Sequence, residues 1–222
     1  MHQYNDKKSF KCLIKYEETY TMDRKIKIMV SSSIYGLEDE LRQVCATLRN
    51  AGYSVINSLI GTVRVHPNLS NLDNCLRAVE ECDLFVGIIR PFMGTGYVRT
   101  TETTPEENTM SILNNITFEE IKRAIELNKP CWFMVHRDVD YAYQLFKRIR
   151  NSETILEENK KQLKENRFFD PLCIDVYKHV LKNRVGSRWV QPYREKSEIL
   201  EFFNAQFEDK DYIIENILTQ ED

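Results

Sequence analysis

Residues Leu84 to Ile89 form a continuous apolar run, Leu-Phe-Val-Gly-Ile-Ile. An apolar run of this length without alternation is typical of a strand that is covered on both faces, as in a parallel sheet. Three further short runs predict strands at Ile26–Val30, Tyr53–Ile56 and Cys131–Val135. Because parallel neighbours cannot be joined by a tight turn, the chain must place a crossover between successive strands.

Helical periodicity occupies the intervals between these runs. Apolar spacing predicts a helix from about Leu37 to Asn50 and another from about Leu72 to Glu81, the second capped by Ser70 or Asn71. The later sequence predicts one or two helices in Tyr141–Asn166, a fifth strand at Arg188–Tyr193, and helices at Asp170–Leu181, Ile199–Phe207 and Tyr212–Leu218. The alternation predicts an α/β fold, a three-layer sandwich with a parallel sheet of about five strands.

The chain is predicted to consist of a short extension and one domain. Residues 1–24 are polar and charged around the alternating piece Phe10–Tyr16, which we expect to form an edge strand or a hairpin arm. No internal repeat or low-complexity linker interrupts residues 25–222. These residues are predicted to form a single α/β domain, with its core in 25–136 and a C-terminal helical and fifth-strand part in 137–222.

Composition restricts the partners and the compartment. The 222 residues carry a formal net charge of −3. Proteins that bind nucleic acid usually show a basic surface, so we expect no nucleic-acid partner. Six scattered cysteines form no Cys-x-x-Cys pair and four histidines lack ligand spacing, so we expect reduced thiols in the cytoplasm and no bound metal. The N-terminus lacks the apolar segment of a signal peptide, and no run approaches the ~20 residues of a membrane span. We therefore expect no membrane partner, and leave open a homo-oligomer or a partner protein.

Three serines follow the first predicted strand. Ligands of open parallel sheets bind beyond the carboxyl ends of the strands, where Ser31, Ser32 and Ser33 would expose small hydroxyl groups. The acidic stretch Glu38–Glu40 falls in the first turn of the next helix and would repel a phosphate. The serines are therefore predicted to contact a sugar or a base, and the alternative is a plain turn with a serine cap.

The loop after Leu84–Ile89 contains Arg90, which is a candidate to hold an anion. Gly94 and Gly96 follow it, but the third glycine of a dinucleotide fingerprint is missing. Either Gly94 lets a ligand approach or the two glycines only give the loop its freedom. The connection to the next helix is long, so residues 93–115 are predicted to form a functional lid or an insertion.

Glu120 has two interpretations. Thr117 is a good N-cap and Glu120 follows three residues later, the spacing of a capping box. In the alternative interpretation, the Glu120 carboxylate projects from the helix N-terminus into the cleft as a catalytic group, and the small Ala124 one turn later leaves space for a ligand. Local spacing favours the cap, because that signature is common. Lys129-Pro130 ends the helix.

Three stretches resemble a known family: Lys27–Ser33 (KIMVSSS), Cys75–Ile89 (CLRAVEECDLFVGII), and Ile116–Ala124 (ITFEEIKRA) with Lys129-Pro130. They look like the bacterial domain of unknown function 4062, which is grouped with Toll/interleukin-receptor-like (TIR-like) and nucleoside 2-deoxyribosyltransferase-like folds. The resemblance covers about residues 25 to 136 and implies a flavodoxin-like or TIR-like sheet.

The resemblance also implies a reaction. Deoxyribosyltransferases place a glutamate four residues before a small residue and nine before Lys-Pro, as Glu120, Ala124 and Lys129-Pro130 do here. That glutamate attacks the sugar C1′, and in TIR enzymes a glutamate near the same place supports cleavage of NAD. Two departures stand out: Asn114–Thr117 replaces the Asp-x-Gly-Thr lead-in of the transferases, and no second carboxylate is evident to hold a base unless Asp83 serves.

These observations lead to two functional hypotheses. The first is a nucleotide- or nucleoside-binding domain that acts as an N-glycosidase on NAD or a related nucleotide, with no cofactor. Glu120 would be the catalytic carboxylate, and the ligand contacts would come from Ser31, Ser32, Ser33, Arg90, Gly94 and Thr117. The second is a non-enzymatic signalling, sensor or protein-interaction module in bacterial defence, in which Glu120 serves only as a cap.

Overall fold

The computed structural model describes residues 25–34, 36–92, 96–97, 114–148, 169–183 and 189–219. Five parallel strands form one sheet in the order β2-β1-β3-β6-β7, and two short antiparallel strands, β4 and β5, pair beside it. The strands are β1 (Lys27–Ser32), β2 (Ser54–Ile56), β3 (Leu84–Ile89), β4 (Gly96–Tyr97), β5 (Asn114–Asn115), β6 (Cys131–His136) and β7 (Val190–Tyr193). The predicted α/β fold with a parallel sheet of about five strands is confirmed.

Helices cover both faces of the sheet. They are α1 (Glu38–Asn50), α2 (Asn71–Glu81), α3 (Ile116–Glu126), α4 (Arg137–Arg148), α5 (Leu172–Asn183), α6 (Lys196–Phe207) and α7 (Lys210–Ile213), followed by a π-helical turn at Ile214–Leu218. The apolar residues of α1, α6 and α7 pack in one core cluster, and those of α2, α3, α4 and α5 pack in the other. The three layers follow from this division.

Strand β3 lies at the centre and is fully buried. Its alternate side chains enter the two clusters: Val86 packs with the α1 side and Phe85 with the α2 side. Gly87 lies opposite the aromatic ring of Phe133, and a Cβ at position 87 would come within 2.7 Å of that ring. The glycine in this apolar run therefore makes room for a neighbouring core side chain.

Several boundaries differ from the sequence prediction. Strand β1 continues two residues beyond Val30, so Ser31 and Ser32 belong to the strand. Helix α4 begins at Arg137 rather than Tyr141, directly after β6. Helix α6 begins at Lys196 rather than Ile199, because Glu195 and Glu198 form a capping box there.

Some predictions lie outside the described residues. These are the extension 1–24 with its piece Phe10–Tyr16, Gly94, most of the proposed lid 93–115, and the part of the helix prediction Tyr141–Asn166 that follows residue 148. Within the described part of the chain, no helix combines the length and the apolar character needed to cross a membrane.

Candidate functional site

A cleft of about 760 Å³ opens at the carboxyl edge of the sheet. Its walls come from the end of β1, the loop after β2, the exit of β3, and the first residues of α2, α3 and α5. The lining residues are Ser32, Ser33, Ile34, Ser58, Gly61, Val63, Val65, Asn71, Asn74, Cys75, Phe92, Asn115, Ile116, Thr117, Glu120 and Asp170. The cleft thus lies where an open parallel sheet is expected to bind a ligand.

Asn115 caps helix α3. Its side-chain oxygen accepts a hydrogen bond from the Phe118 backbone N–H at 3.2 Å, and the helix begins at Ile116. The predicted N-cap at Thr117 is therefore wrong by two residues, because pairing with β4 holds Asn115 in the extended conformation that a cap requires. Thr117 lies within the first turn, where it is buried and lines the cleft.

The Glu120 carboxylate points to the sheet instead of back along its own helix. Ser31 Oγ donates to Glu120 Oε2 at 2.5 Å, across 89 positions of sequence, and the Cys75 thiol also donates to the carboxylate. The predicted capping box is therefore wrong. Glu120 is 6% exposed and lies at the wall of the cleft, so its contacts belong to the candidate site.

Burial sets the ionisation of this carboxyl group. It raises the pKa of Glu120 above its usual range, whereas the hydrogen bonds from Ser31 and Cys75 lower it. Burial, followed by the charge of Glu120, raises the pKa of the Cys75 thiol to about 12. The thiol is therefore protonated at neutral pH and acts as a hydrogen-bond donor rather than as a nucleophile.

The three serines at the end of β1 make different contacts. Ser31 bonds to Glu120, while Ser32 and Ser33 line the cleft. Ser33 Oγ donates to the Phe92 carbonyl oxygen, which ties the end of β1 to the exit of β3. The structure therefore places Ser31 against Glu120 and places Ser32 and Ser33 in the wall of the same cleft, although the plain-turn alternative explains part of their bonding.

Arg90 stabilises the backbone at the end of β1 and lies outside the cleft wall. Its Nη1 donates to the Ser33 carbonyl oxygen at 3.2 Å. Backbone N–H groups at Glu38 and Gly36 lower the pKa of Glu38, and the charge of Arg90 lowers it further. Among the described residues, those that form the cleft wall do not include Arg90. A ligand contact by Arg90 stays a prediction, as does one by Gly94.

Ala124 and Lys129, which match the spacing of the deoxyribosyltransferases, both contribute to packing and not to the cleft wall. Ala124 is fully buried among the core residues of α2 and α5, so the expectation that it leaves space for a ligand is wrong. The Lys129 ammonium donates to the Glu80 and Cys82 carbonyl oxygens at the end of α2. The spacing from Glu120 to Lys129 therefore reflects how α3 packs onto α2 and joins β6.

The second carboxylate of the cleft is Asp170 rather than Asp83. Asp83 accepts a hydrogen bond from the Lys27 backbone N–H at the amino edge of the sheet, which excludes it from the cleft at the carboxyl edge. Asp170 precedes α5, and its backbone N–H donates to the Pro91 carbonyl oxygen at 2.7 Å. The local sequence pattern predicts only that Asp170 starts a helix, because nothing local shows which strand end it meets.

Asparagines and apolar side chains complete the cleft, and no local sequence pattern indicates their role. The buried Asn74 side chain accepts from the His66 N–H at 2.7 Å and donates to backbone carbonyls of the same loop. This holds the loop after β2 against α2. Val65 and Phe92 are 73% and 38% exposed at the rim, so the cleft offers apolar surface to a ligand.

Metal ligands do not cluster in the described part of the chain: no group of three or more His, Cys, Asp or Glu residues there could hold an ion. The cysteines described, at positions 45, 75, 82, 131 and 173, are free thiols. The chemistry that the cleft offers comes from two carboxylates, hydroxyl and amide groups, and a neutral thiol.

Comparisons with known proteins identify a family. No curated protein matches the chain. A solved structure, the CMP N-glycosidase BcmB of Clostridium botulinum, is similar at 15% identity and a TM-score of 0.42, over 81% of this chain and 98% of that chain. Residues 27–213 match the family model described as Domain of unknown function (DUF4062). Since this match spans most of the chain, the protein belongs to the DUF4062 family.

Proposed function

We propose that the protein binds a nucleoside or nucleotide in the cleft and cleaves its N-glycosidic bond, with Glu120 as the catalytic carboxylate. The observation that carries this proposal is the position of Glu120. It is a buried carboxylate in the wall of an open cleft, and it receives two side-chain donors from β1 and α2. NAD, nucleosides and their phosphates are the candidate substrates.

The reaction follows from carboxylate chemistry. A Glu120 oxygen attacks the sugar C1′ as the bond from C1′ to the base nitrogen breaks, and the bonding electrons leave with the base. Water then adds its oxygen to C1′ as the bond from C1′ to the Glu120 oxygen breaks, and the bonding electrons return to the carboxylate. The water proton passes to the departed base, or to the carboxylate where the base leaves neutral, and the free sugar is released. Donation from Ser31 and Cys75 holds the carboxylate in one orientation and favours its ionised form.

The rest of the cleft fits the two halves of such a substrate. Val65 and Phe92 provide an exposed apolar surface for a flat base. Asn71, Ser32 and Asp170 provide polar groups for sugar hydroxyls. A mostly apolar cleft with a few convergent polar groups is the usual form of a small-molecule site.

The test is turnover by the purified chain. Wild type is incubated with NAD, ribonucleosides, deoxynucleosides and their monophosphates, and free base is quantified by chromatography. We expect base release by wild type and its loss in Glu120→Gln. The matched control is Glu119→Gln, since Glu119 pairs with Lys122 outside the cleft lining and this variant should retain activity.

The alternative is a non-enzymatic nucleotide sensor or signalling module. The observation that favours it is that Glu120 is 6% exposed and already occupied by two protein donors. Absence of product from wild type at high enzyme concentration, with binding retained, would replace the catalytic proposal by this one. Both hypotheses therefore place the ligand in the same cleft, and they differ in whether the protein cleaves it.

A further inference from the structure

Negative charge dominates the described wall of the cleft. Glu120 and Asp170 both line it, and the lining residues that the structure describes include no Lys, Arg or His. Cations close to the cleft in sequence have other positions or partners. Arg64, between the lining residues Val63 and Val65, lines a separate cavity, Arg90 donates to the Ser33 carbonyl oxygen and Lys122 pairs with Glu119. A ligand in this cleft therefore meets carboxylates without a facing cationic side chain among the described lining residues.

Two helix N-termini at the cleft already have caps. The Asp73 backbone N–H at the start of α2 donates to Ser70 Oγ at 3.1 Å. At the start of α3, the Phe118 backbone N–H donates to Asn115. Each cap occupies a donor that would otherwise attract a phosphate. At each of these two helix ends, one backbone donor is therefore taken by the protein itself and not offered to a phosphate.

Asp170 is held firmly in the cleft wall. Its backbone N–H donates to the Pro91 carbonyl oxygen at 2.7 Å, and its Oδ1 accepts from the Leu172 N–H at 3.0 Å. These two bonds fix the carboxylate between the exit of β3 and the start of α5. Its second oxygen, Oδ2, has no hydrogen-bond partner among the described residues, and a carboxylate oxygen in this state accepts readily from a hydroxyl group.

We propose that the cleft selects an uncharged nucleoside over its phosphorylated forms, with Asp170 as a specificity-determining residue. This proposal rests on the proposed function and narrows its substrate class. Asp170 accepts from the sugar hydroxyls of a nucleoside, which donate without adding charge. The same carboxylate, together with Glu120, repels a phosphate group, so that attraction and exclusion come from one side chain.

The test compares binding of charged and uncharged ligands. Affinities for adenosine, guanosine, cytidine and uridine are measured by calorimetry or ligand-observed NMR, each beside its 5′-monophosphate. For wild type we expect at least one nucleoside to bind on the order of tenfold more tightly than its monophosphate. The preference should shrink as salt is added, because salt screens the repulsion.

Asp170→Asn removes the negative charge of the Asp170 side chain and keeps its shape. Asparagine keeps the oxygen that accepts from Leu172 and is an equally good cap, so the variant should fold, as circular dichroism will show. We expect the ratio of nucleoside to monophosphate affinity to fall towards one. The matched control is Asp73→Asn, an exposed carboxylate near the start of α2 that does not line the cleft; it should leave the ratio unchanged.

Three results would overturn the inference: a monophosphate that binds as tightly as its nucleoside, no binding of any nucleoside, or a ratio that Asp170→Asn leaves intact. The proposed reaction fails separately. Preferential nucleoside binding without base release refutes the reaction and leaves the selectivity standing. Faster base release from monophosphates refutes the selectivity and leaves the reaction standing.

Discussion

Replacing Glu120 with glutamine should make the stability of the protein less dependent on pH. Burial raises the pKa of Glu120 above its ordinary value of 4.5, so the folded state holds this proton to a higher pH than the unfolded state does. Between the two pKa values the folded state binds more protons, and the wild-type free energy of unfolding falls as pH rises. Glutamine is never ionised, so the variant escapes this loss.

The magnitude follows from the contacts of the carboxyl group. Glutamine has one acceptor oxygen for the two donors Ser31 and Cys75, so at acid pH the variant should differ from wild type by about 1 kcal/mol at most. Above pH 4.5 its relative stability should increase, at a limiting slope of about 1.4 kcal/mol per pH unit. The increase should level off once the folded wild type is ionised.

Urea unfolding followed by tryptophan fluorescence measures this difference at a series of pH values from acid to mildly alkaline. Burial lowers the pKa of His179, but that contribution occurs in both proteins and cancels in their difference. Glu119→Gln is the control, because it removes a carboxylate of the same helix that pairs with Lys122 and does not line the cleft. A Glu120→Gln difference that is independent of pH, or that decreases as pH rises, would refute the assignment of Glu120 as a carboxylate destabilised by burial.

Three further substitutions test the fold around the site by chemical denaturation. Gly87→Ala should cost about 1–3 kcal/mol, because the new methyl group would come within 2.7 Å of the Phe133 ring; an unchanged free energy of unfolding would contradict this packing. Asn115→Ala should cost about 1 kcal/mol, whereas Asn115→Asp should retain the cap; equal losses would argue against the cap. Asn74→Ala should cost about 1–3 kcal/mol and speed amide exchange in the loop that carries His66, and unchanged exchange there would refute the bracing role.

Local sequence patterns were sufficient for the elements of the fold. The uninterrupted run of β3 and the helical spacing of α1 and α2 predicted their types and nearly their ends, because the hydrogen bonds and buried faces of these elements depend on neighbouring residues. Errors occurred where a partner from elsewhere set the boundary. Asn115 became the cap of α3 because β5 pairs with β4, an interaction that the Thr117 pattern could not reveal.

Sequence patterns alone predict an α/β chain with parallel strands, the edge of the sheet where a ligand would bind, and Glu120 as a candidate at that edge. The surroundings of this carboxylate depend on the tertiary structure. The sheet order places Ser31 of β1 and Cys75 of α2 against it, and the packing of α5 brings Asp170 to the same cleft. The periodicity of each segment specifies which face is buried, but not which segments become neighbours. The ionisation of Glu120, and the selectivity that we propose for the cleft, depend on those distant neighbours.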